Sequence, residues 1–209
     1  SIRVNFNQDY DEDNTPDVYT LATSFDSSGN VTDTLLAGTT GADTLSTGSG
    51  NDIVVGNAGD DVINGGAGAD RLMGGAGADT LTGGAGADVF DYLSAAESGI
   101  AGTDTDTITD FNAAEDSFDL LDVISGPFDY NGDNGGLTGS GTASAYYDTT
   151  NQRIVIDSTG SGVADMHIDT PALTGTLTAA NFLTDSGPLA TFITGTSGDD
   201  SLVGTSGDD

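Results

Sequence analysis

A nine-residue pattern is repeated six times, without insertion, across residues 38–91. Each copy has a glycine-rich stretch of six residues that ends in Asp, followed by three residues with an apolar side chain in the middle. The copies are GTTGADTLS, TGSGNDIVV, GNAGDDVIN, GGAGADRLM, GGAGADTLT and GGAGADVFD. Because so short a unit can bury its apolar side chain only against its neighbours, the pattern predicts a stacked repeat architecture.

Positions 6 and 8 of the repeat are the most regular. The position-6 residues are Asp43, Asp52, Asp61, Asp70, Asp79 and Asp88. The position-8 residues are Leu45, Val54, Ile63, Leu72, Leu81 and Phe90. Glycine supplies the positive φ angles of a tight turn, and three residues make a strand of roughly 10 Å. We expect two copies to complete one turn of a coil, so that the position-8 side chains of alternate copies stack on two walls.

The core of such a coil is one side chain wide per strand. Ordering a long glycine-rich segment costs much backbone entropy, and ladder hydrogen bonds add only modest net stability. Stacking also brings the position-6 carboxylates close together, where they repel unless a cation lies between them. The array is therefore expected not to fold without a cation.

Calcium is the cation that these residues favour. Carboxylate and carbonyl oxygens suit Ca²⁺ with six or more ligands, whereas Mg²⁺ retains its water and prefers a strict octahedron. Zn²⁺ is a poorer candidate because the chain has no Cys and only one His, His167.

The charge balance is strongly acidic. The chain of 209 residues carries 34 acidic residues against three Arg and no Lys, and its formal net charge is −31. Such a balance argues against nucleic acid and acidic membrane surfaces as direct partners. Without Cys the chain forms no disulfides, and without a long apolar run it is not expected to insert into a membrane.

The nonapeptide resembles the calcium-binding repeat of RTX (repeats-in-toxin) proteins. The resemblance implies an all-β fold, with a right-handed parallel β-roll followed by an antiparallel β capping segment. It also implies that each Ca²⁺ lies between loops n and n+2, with further ions at the ends of the roll. The four internal sites would then pair Asp43 with Asp61, Asp52 with Asp70, Asp61 with Asp79, and Asp70 with Asp88.

The same resemblance implies main-chain carbonyl ligands at loop positions 1 to 4. In one example, Gly48 and Gly50 would face Gly65 and Ala67. The residues implied in this way are Thr39, Gly41, Gly48, Gly50, Gly56, Asn57, Ala58, Gly59, Gly65, Gly66, Ala67, Gly68, Gly74, Ala76, Gly83 and Ala85. Gly is replaced in the first repeats by Thr39, Thr47 and Asn57. These replacements should change affinity more than geometry, because a carbonyl ligand does not depend on its side chain.

Residues 86–183 resemble the segment that follows the array in serralysin-type secreted proteins. The family's DxIxDF positions are occupied here by Asp106, Ile108, Asp110 and Phe111. The resemblance implies that Asp106 helps to close the last calcium site, beside Asp88. The alternative is that the apolar residues of this run simply cover the open end of the roll, whose strand edge would otherwise be an aggregation hazard.

We expect four segments along the chain. They are an N-terminal acidic flanking segment at 1–37, the β-roll at 38–91, a serralysin-like β cap at 92–184, and a linker with the start of a further RTX array at 185–209. Within the cap, the stretches SAYYD, RIVID and MHID alternate and predict antiparallel strands.

Two further acidic stretches resemble ion-binding loops in part. The run at 9–17 partly resembles an EF-hand loop but lacks the position-6 Gly and the position-12 Glu, so a solvated linker is preferred over a bound ion. The turn DSTGSG that begins at Asp157 lacks the later acids of a calcium loop, and no metal is predicted there.

The leading functional hypothesis is a calcium-dependent folding and structural module of a large RTX protein exported by type I secretion. Such a segment is disordered at low calcium and folds outside the cell or at its surface, where calcium binding supplies folding free energy. Its expected partners are calcium ions, the type I secretion machinery, and other RTX blocks docked end to end.

Two alternative functions are compatible with the repeats. One is a calcium-dependent polysaccharide-binding module of a secreted carbohydrate-active enzyme, as in alginate epimerases, and the other is a non-catalytic region of a serralysin-like protease. The chain lacks HExxH, Cys and Lys and has one His, so no Ser-His-Asp triad or catalytic zinc site is apparent. We therefore do not expect the chain to be an enzyme.

Overall fold

The computed structural model describes residues 18–25, 27, 31–100 and 102–183. These residues form 15 β-strands and one short 3-10 helix at Ala179–Asn181. The strands are β1 (Tyr19–Phe25), β2 (Val31–Ala37), β3 (Thr44–Ser46), β4 (Ile53–Ala58), β5 (Val62–Ala67), β6 (Arg71–Ala76), β7 (Thr80–Ala85), β8 (Val89–Asp91), β9 (Asp106–Ile108), β10 (Ser117–Asp119), β11 (Phe128–Asp133), β12 (Ala143–Asp148), β13 (Arg153–Asp157), β14 (Met166–Asp169) and β15 (Phe182–Leu183). The helix in this part of the chain is too short to span a membrane. The acidic run at 9–17 and the repeat-like tail at 195–209 lie outside the described residues.

The strands form two sheets, and successive strands of the array alternate between them. One sheet has the order β1-β2-β4-β6-β8-β10-β15, and the other has the order β11-β12-β13-β14-β9-β7-β5-β3. Each array strand therefore pairs in parallel with the strand two places further along the chain. Two repeats complete one turn, and the predicted fold class, an all-β parallel β-roll, is confirmed.

The position-8 side chains form two stacks, one on each sheet. On one sheet the register aligns Leu45, Ile63, Leu81 and Ile108. On the other it aligns Leu36, Val54, Leu72, Phe90, Phe118 and Phe182. None of these side chains is more than 7% exposed, so the two predicted walls are confirmed and form the core.

The roll is longer than the six repeats at both ends. Before the array, β2 pairs in parallel with β4 and places Leu36 at the position-8 level. After the array, β9 pairs with β7 and β10 with β8, although the chain takes 27 and 28 residues to return instead of 18. The sheets therefore continue across the segment boundaries expected near residues 38 and 92, and the division into four segments stays a prediction.

The cap extends both sheets of the roll. The strands predicted from SAYYD, RIVID and MHID are β12, β13 and β14, and they pair antiparallel as expected. The remaining cap pairings are parallel: β14 with β9, β15 with β10, and β11 with β12. The cap is therefore bonded to the roll strand by strand.

An aromatic cluster closes the core at the cap end. Phe111 stacks on Phe118 with ring centroids 4.3 Å apart, and Phe118 stacks on Phe182 at 5.4 Å. Phe90, the last position-8 residue of the array, contacts both Phe111 and Phe118. These rings bury large apolar areas. They cover the end of the roll, as the alternative interpretation of the DxIxDF run predicts.

Candidate metal site

The position-6 Asp side chains form two continuous stacks with a spacing of 18 residues. In each interval, Oδ1 of the later Asp accepts a hydrogen bond from the backbone N–H of the earlier Asp. The N–O distances are 2.7 Å for Asp43 with Asp61, 2.8 Å for Asp52 with Asp70, 2.8 Å for Asp61 with Asp79, and 2.9 Å for Asp70 with Asp88. The structure thus brings together all four Asp pairs that the sequence predicts.

The second carboxylate oxygen of most of these residues is buried without a hydrogen-bond partner. Within the described part of the chain this holds for Oδ2 of Asp52, Asp61, Asp70, Asp79 and Asp88. Each of these residues is at most 1% exposed. A buried carboxylate oxygen without a partner is costly, so each one marks a place where a positive group is expected.

The position-1 glycines leave room beside these oxygens. A Cβ atom added to Gly56 would lie 2.3 Å from Oδ2 of Asp61 and 2.4 Å from the carbonyl oxygen of Gly74. A Cβ atom added to Gly65 would likewise lie 2.5 Å from Oδ2 of Asp70. A side chain at Gly56 or Gly65 would therefore displace these oxygens, and beside Gly56 a carboxylate oxygen and a carbonyl oxygen of the next turn converge.

Positions 2 to 4 bring the backbones of stacked loops into contact. Gly68 has φ +138°, and a Cβ atom there would lie 1.7 Å from the carbonyl oxygen of Gly50. Ala67 donates its N–H to the carbonyl of Gly48 at 2.9 Å, and its own carbonyl accepts from the N–H of Gly50 at 2.8 Å. Each carbonyl oxygen retains a second lone pair, so these hydrogen bonds leave it able to bind a metal.

The stacked carboxylates resist ionisation in the absence of a counter-ion. Burial raises the pKa of Asp61 and of Asp88 to about 6, and neighbouring carboxylates add to the rise. Burial also raises the pKa of Asp70 and Asp79, and it raises the pKa of Asp106 to about 8. A cation between the loops would remove this penalty on ionisation.

The donor set fits Ca²⁺. In the described ranges no three His, Asp or Glu side chains gather around one point, so each candidate position combines at most two carboxylates with main-chain carbonyls. Such mixed oxygen ligands suit Ca²⁺, which takes six to eight of them in flexible geometry. His167 offers no nitrogen ligand to the loops, since it lies in the cap with Nδ1 3.2 Å from the guanidinium of Arg153. A bound Ca²⁺ would neutralise the carboxylates and cross-link successive turns.

The cap contributes two acids to the stacks, and one of them was placed wrongly from the sequence. Asp106 was expected beside Asp88, but its Oδ1 accepts from the N–H of Asp79 at 2.9 Å. Asp116, which was not predicted from the sequence, follows Asp88 in its stack. Its Oδ1 accepts from the N–H of Asp88 at 3.0 Å. The signal was present: Asp116 stands two residues before the buried Phe118, as position 6 stands before position 8.

A second set of side chains also links the turns and was not predicted. At position 5, Oδ1 of Asn51 accepts from the N–H of Ala69 at 2.9 Å, and Oδ1 of Asp60 accepts from the N–H of Ala78 at 3.0 Å. These side chains lie nearer the surface than the position-6 acids. They satisfy loop N–H groups without needing a metal, which explains the Asn and Asp at this position.

The Asp157 turn is closed by hydrogen bonds from its own backbone. The fully buried carboxylate accepts from the N–H groups of Thr159 and Ser161 at 3.1 and 3.0 Å, and also from Gly162. Its oxygens are thus occupied by local donors, in contrast to those of the position-6 acids.

We expect the calcium-free fold to be more stable at acid pH. A carboxyl whose folded pKa lies above its unfolded value of 3.8 stabilises the fold below that value and loses this contribution as pH rises through its folded pKa. With Asp61 and Asp88 near 6 and Asp106 near 8, stability should fall between pH 4 and 8. Because the calcium-free array is expected to be unfolded at neutral pH, the β-signal in far-UV circular dichroism of the calcium-free chain, followed from pH 8 down to pH 4, would measure the effect. Repeating the series in high salt would screen the general charge repulsion. A flat profile in high salt would contradict the prediction.

Comparisons with known proteins agree with the repeat pattern and the fold. The family model of the RTX calcium-binding nonapeptide repeat matches in four copies, at residues 28–63, 37–72, 64–94 and 189–209. The last copy covers the tail in which the sequence predicts a further array. A comparison with curated protein sequences finds no match.

Two solved structures are similar to this chain. The AlgE6R2 subunit of the Azotobacter vinelandii mannuronan C5-epimerase is 27% identical, with a TM-score of 0.50, and the alignment covers 71% of this chain and 91% of that one. The AlgE6R3 subunit of the same enzyme is 26% identical, with a TM-score of 0.34, and the alignment covers 82% of this chain and 91% of that one. Together with the family match and the two Asp stacks, the first likeness leads to one conclusion: the array of this chain is an RTX calcium-binding nonapeptide-repeat module folded as a parallel β-roll.

Proposed function

We propose that this chain is a calcium-dependent folding and structural module, with its ions held between stacked loops by the position-6 Asp residues and by loop carbonyls. The row of buried Oδ2 atoms without hydrogen-bond partners carries the proposal. The array is too thin to fold on its apolar core alone, and ionised carboxylates in this row would destabilise it further. Calcium offsets both deficits, so its binding free energy becomes folding free energy.

The proposed module acts as a switch between low and high calcium. Extracellular calcium modules typically have dissociation constants of about 10⁻⁴ M or weaker. At about tenfold excess over such a value, each ion adds about 1.4 kcal/mol of stability by linkage. Filling should be cooperative, because Asp70 belongs to two neighbouring positions.

The biological setting we propose is a secreted protein. A chain with a net charge of −31 and a glycine-rich array is suited to remaining unfolded at cytosolic calcium, as export by a type I machinery would require. Outside the cell or at its surface the array folds and acts as a spacer that docks end to end with other RTX blocks. The repeat match at 189–209 supports a further stretch of repeats in this chain. In this role the chain itself has no catalytic residues.

A calcium titration tests the proposal. Far-UV circular dichroism of the whole chain, from a chelator to 10 mM calcium (roughly a hundred times a typical extracellular-module dissociation constant), should show a cooperative gain of β-structure. Magnesium at the same concentrations should not reproduce it, because Mg²⁺ accepts this irregular oxygen set poorly. A complete β-signal in the presence of chelator would overturn the proposal.

A second candidate function is polysaccharide binding, favoured by the likeness to a subunit of a mannuronan C5-epimerase. An acidic polymer would meet few basic groups here, since the chain has only three Arg. Calcium would have to bridge the two surfaces. Retention on immobilised alginate, compared with retention on a neutral glycan and with retention in chelator, distinguishes the two candidate functions. Retention on alginate but not on the neutral glycan, lost in chelator, supports polysaccharide binding.

A further inference from the structure

Three residues of the first repeats replace the Gly of the pattern, and all three use their side chains as hydrogen-bond donors. They are Thr39, Thr47 and Asn57. Each donates to an oxygen in the spaces between stacked loops in which calcium is proposed to bind. These contacts lie in the first two loop intervals, between loops 38–43 and 56–61 and between loops 47–52 and 65–70.

The first interval contains two of these donors. Thr39 donates to Oδ2 of Asp43 twice, from its N–H at 2.6 Å and from its hydroxyl at 2.9 Å. Asn57 has φ +81° and donates its side-chain amide to the carbonyl of Gly38 at 2.7 Å. A Cβ atom on Gly38 would lie 2.8 Å from Oδ2 of Asp43, so both contacts fall in the same small space.

The second interval contains the third donor. The hydroxyl of Thr47 donates to the carbonyl of Gly65, which belongs to the proposed ligands of the position between Asp52 and Asp70. Oδ2 of Asp52 is nevertheless without a partner. This interval therefore retains its unpartnered carboxylate oxygen but has one carbonyl already engaged.

Later intervals differ in this respect. Oδ2 of Asp61, Asp70, Asp79 and Asp88 is buried and unpartnered, and beside each lies a position-1 Gly that brings no donor of its own. The pattern is graded along the roll. The first Asp has local donors to Oδ2, the second interval has one engaged carbonyl, and in the later intervals the described residues supply no donor to Oδ2.

We propose that Thr39 and Asn57 take the place of the calcium ion in the first interval, and that Thr47 weakens the ion of the second. The inference rests on the proposed calcium function and deepens it. Hydroxyl and amide hydrogens supply partial positive charge to the oxygens that a cation would otherwise bind. The start of the roll is then held by hydrogen bonds, and calcium is needed from the second interval onward.

The test compares calcium stoichiometry in the whole chain by isothermal titration calorimetry. The double variant Thr39→Gly, Asn57→Gly restores the repeat pattern and should bind one ion more than the wild type. The matched control is Thr40→Gly, which adds an equally flexible residue at an exposed position of the same loop and should leave the stoichiometry unchanged. Thr39→Ser retains the hydroxyl and should also behave as the wild type.

The outcomes separate this inference from the proposed function. A wild type that binds no calcium overturns both. Calcium binding with equal stoichiometry in the wild type and the double variant overturns only the inference, and so does a double variant that lacks the wild-type β-signal in saturating calcium. Independently, Thr47→Gly should tighten the weakest ion several-fold without adding one, and an unchanged affinity would overturn the role of Thr47.

Discussion

Replacing Asp70 by Asn should raise the calcium concentration at the folding midpoint by about tenfold or more. Oδ1 of Asp70 accepts from the N–H of Asp52, and its fully buried Oδ2 faces the space beside Gly65. The side chain belongs to two proposed calcium positions, so the change removes a charged ligand from both, and affinity depends on the ligand charge count. Loss of one ion that is present at tenfold excess costs about 1.4 kcal/mol by linkage.

Without calcium, the same substitution should favour the folded state. Burial raises the pKa of Asp70, so a neutral amide of the same shape avoids the cost of ionising a buried carboxyl. The matched control is Asp60→Asn, which makes the same charge change at a more exposed side chain whose Oδ1 accepts from the N–H of Ala78, a bond that Asn retains. Calcium titrations followed by circular dichroism measure the midpoint. The β-signal in chelator, which should be higher for the Asp70 variant than for the wild type, measures the effect without calcium. Equal midpoints for the two variants would contradict the prediction.

Replacing Phe118 by Ala should lower the free energy of unfolding by about 3–5 kcal/mol, as large-to-small changes in a core do. Phe118 is fully buried at the join between the roll and the cap. Its ring stacks on Phe111 and on Phe182, and its backbone pairs with both β8 and β15. The cavity would therefore open where the two parts of the fold are connected.

Chemical denaturation at saturating calcium measures this effect. The control is Leu93→Ala, which removes an apolar side chain that is 53% exposed and should change stability by no more than about 0.5 kcal/mol. If the Phe118 variant lost no more stability than the Leu93 variant, the aromatic cluster would not be the joint between cap and roll.

The roll could be predicted because its repeat is strict. Position 8 is apolar in all six copies, and a coil with two copies per turn leaves only one way to bury these side chains. The stacking of Ile63 on Leu45 and the contact of Asp61 with Asp43 both follow from that single period. The period also identified which Asp residues face each other.

The cap could be predicted only in part, because its spacing is irregular. Its returns of 27 and 28 residues include a loop after β8 whose length no repeat signals. Asp106 was therefore assigned to the wrong stack, and Asp116 was not recognised as a member of either. The antiparallel strands β12 to β14 were found because their residues alternate, whereas β15 has only two residues and gives no pattern.

The hydrogen bonds of the first repeats could not be predicted from residue type. Thr39 and Asn57 were recognised as departures from Gly, but the atoms that their side chains reach depend on how the first loop closes at the edge of the sheet, where β3 is the last strand. Asp43 lies at that open end and is only partly buried, unlike the position-6 acids further along the roll. A solvent-accessible start gives room for side chains that the interior loops exclude.

The register of 18 residues limits how the array can change in length. Loss or gain of one nonapeptide would move every later copy to the opposite sheet, and the cap would have to join the roll rotated by half a turn. Phe118 would then follow the wall that now ends in Ile108, and the two cap acids would exchange stacks. Length can therefore vary without disturbing either end only in pairs of copies, each pair adding about 4.8 Å along the axis. The number of nonapeptides between the two ends must therefore stay even.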